Sequence, residues 1–485
     1  MGGTTASQRC RRLGLAGSAI LAAGGLLAGA RMAHHGLPVR GLGHLRQSEA
    51  IGLILGYAGV TVLVVAWCRL GATVRGPEPP SVRSLYLTLA AWAAPLLLVP
   101  PLFSRDAYSY LAQGAMTVAR IDPYHSGPAA LGGPLLADIP AVWQHSPTPY
   151  GPVFLTVAAA VAAVASSHIL LGLLGMRLLA VLGLAVMLAT LPRVAAANGI
   201  APAPAVWLAG LNPLVLLHLV AGAHNDALML AFLMTGLAAA LRRRPVLGAV
   251  LITLGALVKA PAALGLLAVA ALWSGAMTGP HRLPRAVAGT GGIAVATMLA
   301  VSAATGLGYG WLGALGTPAS PGSWSVTSVL GRVSQPALEI WSKGLAGAAA
   351  PAWRWAGMAA AVGLCAVLWR YRDRLGVVLA LGLMLTTVVV LGPSIRPWYL
   401  LWGLVPIAVS SPHGRAARWL RLCCVALAFS VPPGGFAPTV PRLALCALGA
   451  VAAGIGLWGA GRVRGGVLTW PAARAAPGPE PEYSA

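Results

Sequence analysis

Long apolar runs separated by short, arginine-bearing loops recur from near the N-terminus almost to the C-terminus of this chain. Residues 51–67 contain no charge at all, and residues 377–391 are mostly Val and Leu. Runs of that length suit helices that cross a bilayer. With 58% hydrophobic and only 9% charged residues in 485, the polar surface a soluble globule needs is missing. The sequence therefore predicts an all-α, polytopic transmembrane helical protein with about 12–14 spans, in which 61 glycines let helices approach closely. A net charge of +23 does not point to nucleic acid, because the basic residues lie in the loops, where they set orientation and meet lipid headgroups. Membrane lipids are the partners this implies. The six cysteines show neither a disulfide framework nor metal-ligand spacing.

Arg9, Arg11 and Arg12 precede the run 13–30, read here as a first span leaving the cytoplasm and not as a signal peptide. Residues 51–67 return and 85–103 go out. Residues 153–164 are short for a span, 176–191 return, and 206–220 go out with a kink at Asn212-Pro213. Residues 227–241 lead back to Arg242, Arg243 and Arg244. Runs 246–258 and 262–273 meet as a bent pair at Lys259-Ala260-Pro261. Residues 286–304 lead to a second outer loop, 305–350, where Trp311, Trp324 and Trp341 read as interface aromatics. The runs 353–368, 377–391, 400–409, 422–431 and 443–458 complete the path, and the Pro/Ala-rich residues 462–485 read as a disordered cytoplasmic tail. Basic residues are in excess on the cytoplasmic side, as the positive-inside rule requires; Arg31, Arg40 and Arg46 run against it, and Arg177 stays within a span. No inverted repeat of the secondary-transporter kind is visible.

Chemistry is constrained by scarcity, since the chain has ten acidic residues. Glu480 and Glu482 fall in the tail, Glu78 in a proline-rich loop and Asp373 among arginines. Asp106, Asp122 and Asp138 share the first long outer loop, 104–152, and Glu49, Asp226 and Glu339 are the other candidates. Asp106 directly follows an outgoing span. If a helix starts there, Asp106, Tyr110 and Gln113 share one face, a carboxylate, a phenol and an amide fit to grip and deprotonate a sugar hydroxyl. The same acid would also suit a helix N-terminus on dipole grounds, with Arg105 as an interfacial anchor. Downstream stand Asp122-Pro123-Tyr124-His125, Trp143-Gln144-His145 and Tyr150-Gly151-Pro152, whose prolines and glycines predict a fixed, non-helical path. The assigned topology brings His224-Asn225-Asp226, Lys259 and Arg396-Pro397-Trp398-Tyr399 to the same face. His224-Asn225-Asp226 would equally serve as a helix cap, and Lys259 as a snorkelling anchor. His218 reads as a packed core histidine.

In their order along the chain these motifs resemble the actinobacterial α-1,6-mannopyranosyltransferases, polyprenyl-phosphomannose-dependent enzymes of the GT-C membrane glycosyltransferase fold. The motifs are the acid after an early span, the long first outer loop, Tyr150-Gly151-Pro152, Asn212-Pro213 with His224-Asn225-Asp226, Lys259-Ala260-Pro261 and Arg396-Pro397-Trp398-Tyr399. The resemblance runs over roughly residues 85–430, and the first forty residues and the tail carry none of it. It implies N-terminal spans at 1–84, a GT-C-like catalytic region at 85–461 and a catalytic outer loop at 104–152. Asp106 takes the place of the catalytic acid. Arg105, Tyr108, Tyr110, Gln113, Asp122, Tyr124, His145, Tyr150, His224, Asn225, Asp226, Lys259, Arg396, Trp398 and Tyr399 are candidates for binding substrate. The implied partners are a polyprenyl-phosphate-mannose donor and a mannoside or glycolipid acceptor, handled on the extracytoplasmic face of the plasma membrane. Members often show two neighbouring acids where this chain has Arg105-Asp106, so no metal site and no cofactor is assigned. Three other readings are a transporter or flippase of a lipid-linked saccharide, a GT-C enzyme for another sugar (arabinofuranosyl or protein mannosyl), and a non-catalytic envelope scaffold.

Overall fold

The computed structural model describes residues 2–28, 48–317, 323–411, 414–435 and 439–463. Among them every regular element is helical, as the hydropathy pattern requires. Six helices among the described residues are long and apolar enough to cross a membrane alone: Ala6–Ala28, Glu49–Val74, Ile169–Ala197, Arg282–Thr305, Lys343–Arg370 and Val440–Ala460. A broken pair, Pro202–Gly210 and Val215–Ala221, makes up to seven. The other apolar runs form helices of 10–17 residues, among them Val82–Leu97, Pro152–Ala165, Asp226–Leu241, Pro245–Ala256 and Val377–Leu391. The count of about 12–14 therefore mixes full-length crossings with these shorter segments.

The first two long helices pack through glycine: a Cβ on Gly24 would lie 2.3 Å from the backbone nitrogen of Gly56. The broken pair occupies the core, with every residue from Ala205 to Gly210 and from Val215 to Ala221 buried. Pro213 cannot donate to the helical ladder, and the two halves meet at 62°. Asn212 repairs the break: its Oδ1 accepts from the Leu214 N–H at 2.9 Å and its Nδ2 donates to Leu208 O at 3.2 Å.

Two expectations need correction. The region 305–350 is mostly helical, with a turn at Gly310–Gly316, a helix at Val326–Glu339 and a long helix that already starts at Lys343. Ser325 and Ser342 cap the last two, accepting from Ser328 N and Leu345 N. Trp311 is buried within the protein, whereas Trp324 and Trp341 are exposed. The last helix runs to Val463, past the expected start of the tail. Arg31, Arg40, Arg46 and residues 464–485 lie outside the described residues.

Candidate active site

A helix does begin at Asp106, spanning Asp106–Val118, so Asp106 and Tyr110 share a face one turn apart. The Ser104 hydroxyl accepts from the Asp106 N–H at 3.1 Å. Asp106 Oδ2 lies 3.5 Å from His224 Nδ1, and Tyr110 Oη lies 3.3 Å from that nitrogen and donates to Asn225 Oδ1 at 3.4 Å. His224 is completely buried, with Trp398 stacked on it at a centroid distance of 3.8 Å. The first loop and the turn between two distant helices thus meet, joined by a carboxylate, an imidazole and a phenol.

Asp226, fully buried, starts the next helix and accepts from Lys259 Nζ at 2.9 Å on Oδ1 and 2.8 Å on Oδ2. Trp402 Nε1 donates to the same Oδ1 at 2.6 Å. The ammonium lies against three aromatic faces, Tyr399 at 4.7 Å, Trp402 at 5.4 Å and Tyr150 at 5.7 Å. A break between short helices carries Lys259 there, and Gly151 lets the loop end dock against it, since a Cβ on Gly151 would meet Leu257 O at 2.4 Å. Lys259 is therefore no snorkelling anchor; it is the buried partner of Asp226.

Arg396 sits before the short turn Pro397–Tyr399, 5.9 Å from the Trp143 ring. The strand of chain leading to it is clasped by hydroxyls: Ser325 and Ser328 donate to Pro393 O at 2.9 and 3.2 Å, and Thr327 to Gly392 O at 3.2 Å. Arg396 and Lys259 both act on Asp106 electrostatically. Burial pushes the Asp106 carboxyl above its ordinary pKa, and the fields of those two cations and the Ser104 hydrogen bond only partly offset it. About a fifth of the Asp106 side chain stays exposed (21%), against none of Asp226.

The structure thus brings together Asp106, Tyr110, Tyr150, His224, Asn225, Asp226, Lys259, Arg396, Trp398 and Tyr399. Gln113 shares the helix face of Asp106 and Tyr110, and the remaining candidates lie elsewhere. Arg105 and Tyr108 line a different, small cavity with Pro101, Ser104, Asp138, Pro433 and Gly434. Tyr108 is two residues from Asp106, which on a helix points it elsewhere. Gln113 is buried, and its Oε1 has no hydrogen-bond partner among the described residues. Asp122 serves its own exposed turn, accepting from Tyr124 N at 2.8 Å and facing His125 Nδ1 at 2.6 Å. Burial works against its ionisation, but those contacts outweigh it and hold its pKa below the usual value. Tyr124 packs under Gly310, and His145 is exposed on the loop. Trp402 was missed by sequence reasoning; its signal was the three-residue step from Tyr399 along one helix face, and Tyr399 stacks on it at 4.1 Å. His218 is buried as expected, yet it packs 5.0 Å from Trp398 and so backs the site.

Residues 11–275 match a family model described as alpha-(1->6)-mannopyranosyltransferase, N-terminal domain, and residues 335–459 match the MptB C-terminal domain. The chain belongs to the α-(1→6)-mannopyranosyltransferase family. Membership makes it a hexosyltransferase, and the match from residue 11 extends the family likeness into the first forty residues, where the motifs had shown none. A probable α-(1→6)-mannopyranosyltransferase of Mycolicibacterium smegmatis is 33% identical, over 89% of this chain and 83% of the relative. For α-(1→6)-mannopyranosyltransferase A of Mycobacterium tuberculosis the figures are 34%, 84% and 80%. For α-(1→6)-mannopyranosyltransferase B of Corynebacterium glutamicum they are 33%, 75% and 65%. No solved structure matches this family member.

Proposed function

We propose that this protein moves mannose from polyprenyl-phosphate-mannose to a mannan or lipomannan-type acceptor, forming an α-1,6 linkage by a single inverting displacement on the extracytoplasmic face of the plasma membrane. One observation carries the assignment of the base. Asp226 is saturated by Lys259 and Trp402 and fully enclosed, whereas Asp106 is partly open and borders the same cluster. Its raised pKa suits a group that must take up a proton.

In the reaction the acceptor oxygen attacks the anomeric carbon of the donor while its proton passes to Asp106. The bond from that carbon to the phosphate oxygen breaks, and polyprenyl phosphate leaves with the electron pair. A β-linked donor gives the α-mannoside. Charge grows on the phosphate as it leaves, so a nearby cation stabilises the transition state more than the bound donor. Arg396 fills that role, held in place by the hydroxyl clasp on Gly392 and Pro393. Lys259, already neutralised by Asp226, contributes its remaining donor and fixes the aromatic wall of Tyr150, Tyr399 and Trp402. Tyr110, Asn225 and His224 orient the acceptor hydroxyl towards Asp106.

The test supplies membranes containing the protein with radiolabelled polyprenyl-phosphomannose and a short α-mannoside. The expected product carries label in a new α-1,6-linked mannose. Transfer from a nucleotide-linked mannose with none from the lipid donor, or a product of another linkage, would overturn the reading.

A further inference from the structure

Arg177 lies in the long Ile169–Ala197 helix, a candidate membrane span, and is 6% exposed. A charged side chain inside a span is costly unless its donors are used, and such residues generally serve the working of the protein. Its guanidinium bonds backbone carbonyls on two separate segments. Nη1 donates to Leu97 O at 3.2 Å and to Val99 O, where the Val82–Leu97 helix ends, and Nη2 donates to Ala221 O at 3.1 Å, where the broken core pair ends. Ala221 O also accepts from the Leu102 N–H at 3.1 Å, so the two segments are tied to one another as well as to the arginine.

Both tied segments lead straight into the reacting groups. Beyond Val99 the chain reaches Asp106 through Phe103, and beyond Ala221 it reaches His224 through Ala223. Phe103 and Ala223 have φ of 65° and 53°, the left-handed region that side chains with a Cβ disfavour. A backbone held that way relaxes unless its surroundings fix it, and the carbonyls just upstream are what Arg177 fixes. The Phe103 ring also packs edge-on against His218, which backs His224.

We infer that Arg177 is a positioning residue: by pinning the carbonyls of Leu97, Val99 and Ala221 it sets the spacing between Asp106 and the His224 turn. This rests on Asp106 acting as the base. Lysine at the same place keeps the charge but lacks the planar fork that reaches carbonyls in two directions.

The experiment compares Arg177→Lys, Arg177→Gln, Asp106→Asn and the double variant Arg177→Lys with Asp106→Asn, as transfer rates per folded, inserted molecule. A misplacement of about 1 Å costs on the order of 100-fold in rate. Arg177→Lys should therefore lower kcat by roughly 10- to 100-fold while donor KM changes by no more than about twofold. Because the arginine acts through Asp106, Arg177→Lys should add little to the loss already caused by Asp106→Asn. Parental kcat in Arg177→Lys and Arg177→Gln, or losses that multiply in the double variant, would overturn the inference while leaving Asp106 in place. Failure of both arginine variants to accumulate would also overturn it, since the residue would then serve folding alone. Parental activity of Asp106→Asn would instead remove the base on which the inference stands.

Discussion

Removing one partner of the Asp226–Lys259 pair should be among the most damaging single changes in the protein. Asp226 is fully enclosed and Lys259 is 9% exposed in its side chain, so neither charge has water to turn to. Three hydrogen bonds enter the carboxylate, two from the ammonium and one from Trp402 at 2.6 Å. Asp226→Asn leaves the buried ammonium without its paired carboxylate, and Lys259→Met leaves the carboxylate with only an indole N–H. Each should cost about 3–5 kcal/mol of stability. Combining them removes both charges while the asparagine oxygen still accepts from Trp402, so the pair should show a coupling of about 3 kcal/mol. The assay is unfolding of the purified protein by SDS titration in mixed micelles, for the parent, both single variants and the double. If each single variant lies within about 1 kcal/mol of the parent, the value of an exposed ion pair, the buried pair does not exist as described.

Three further tests address orientation, titration and the missed tryptophan. Ala130→Cys, in the exposed part of the first loop and in a cysteine-free background, should react with an impermeant reagent in intact cells; labelling only after lysis would put the site on the wrong side. A base must be deprotonated to work, so kcat/KM should fall as pH drops through the Asp106 pKa, with the acid limb above the ordinary carboxylate range. Arg396→Gln should move that limb further up, because the lost cation favoured the carboxylate; an unmoved limb would separate the two residues. Trp402→Phe keeps an aromatic ring but loses the indole N–H bond to Asp226, and should lower stability by about 1.5–3 kcal/mol in the same SDS titration; an unchanged value would mean the indole N–H is not engaged.

The helical, membrane-spanning character was legible because a bilayer imposes length and apolarity on each segment; residues 51–67, within the Glu49–Val74 helix, meet both, whereas 377–391 meets the apolarity in a helix of only 15 residues. The helix at Val326–Glu339 was not, since its stability comes from serine caps and from hydroxyl bonds to Gly392 and Pro393, partners more than sixty residues away. At the candidate site, polar residues stranded at the ends of apolar runs were legible as a group that the fold brings together: Asp106, His224, Asn225, Asp226, Lys259 and Arg396. Pairing was out of reach of the sequence. Nothing in the spacing says that Lys259 belongs to Asp226, or that the face shared by Asp106 and Tyr110 meets His224. Trp402 lay inside an apolar run, where a tryptophan reads as packing until its N–H is seen on a carboxylate. Arg177 stood out as a charge within a span, but its three carbonyl partners come from two other segments distant in the chain.

The central claim is that Asp106 takes the acceptor proton. Its most direct test is the transfer rate of Asp106→Asn per inserted molecule, with labelled polyprenyl-phosphomannose as donor and a short α-mannoside as acceptor. Asparagine keeps the shape and cannot accept the proton, and the parent residue sits at a partly open position, so the variant should insert and accumulate normally. The account requires a loss on the order of 100-fold or more, with Asp122→Asn and Asp138→Asn close to the parent. An Asp106→Asn protein that transfers mannose at near the parental rate would contradict it.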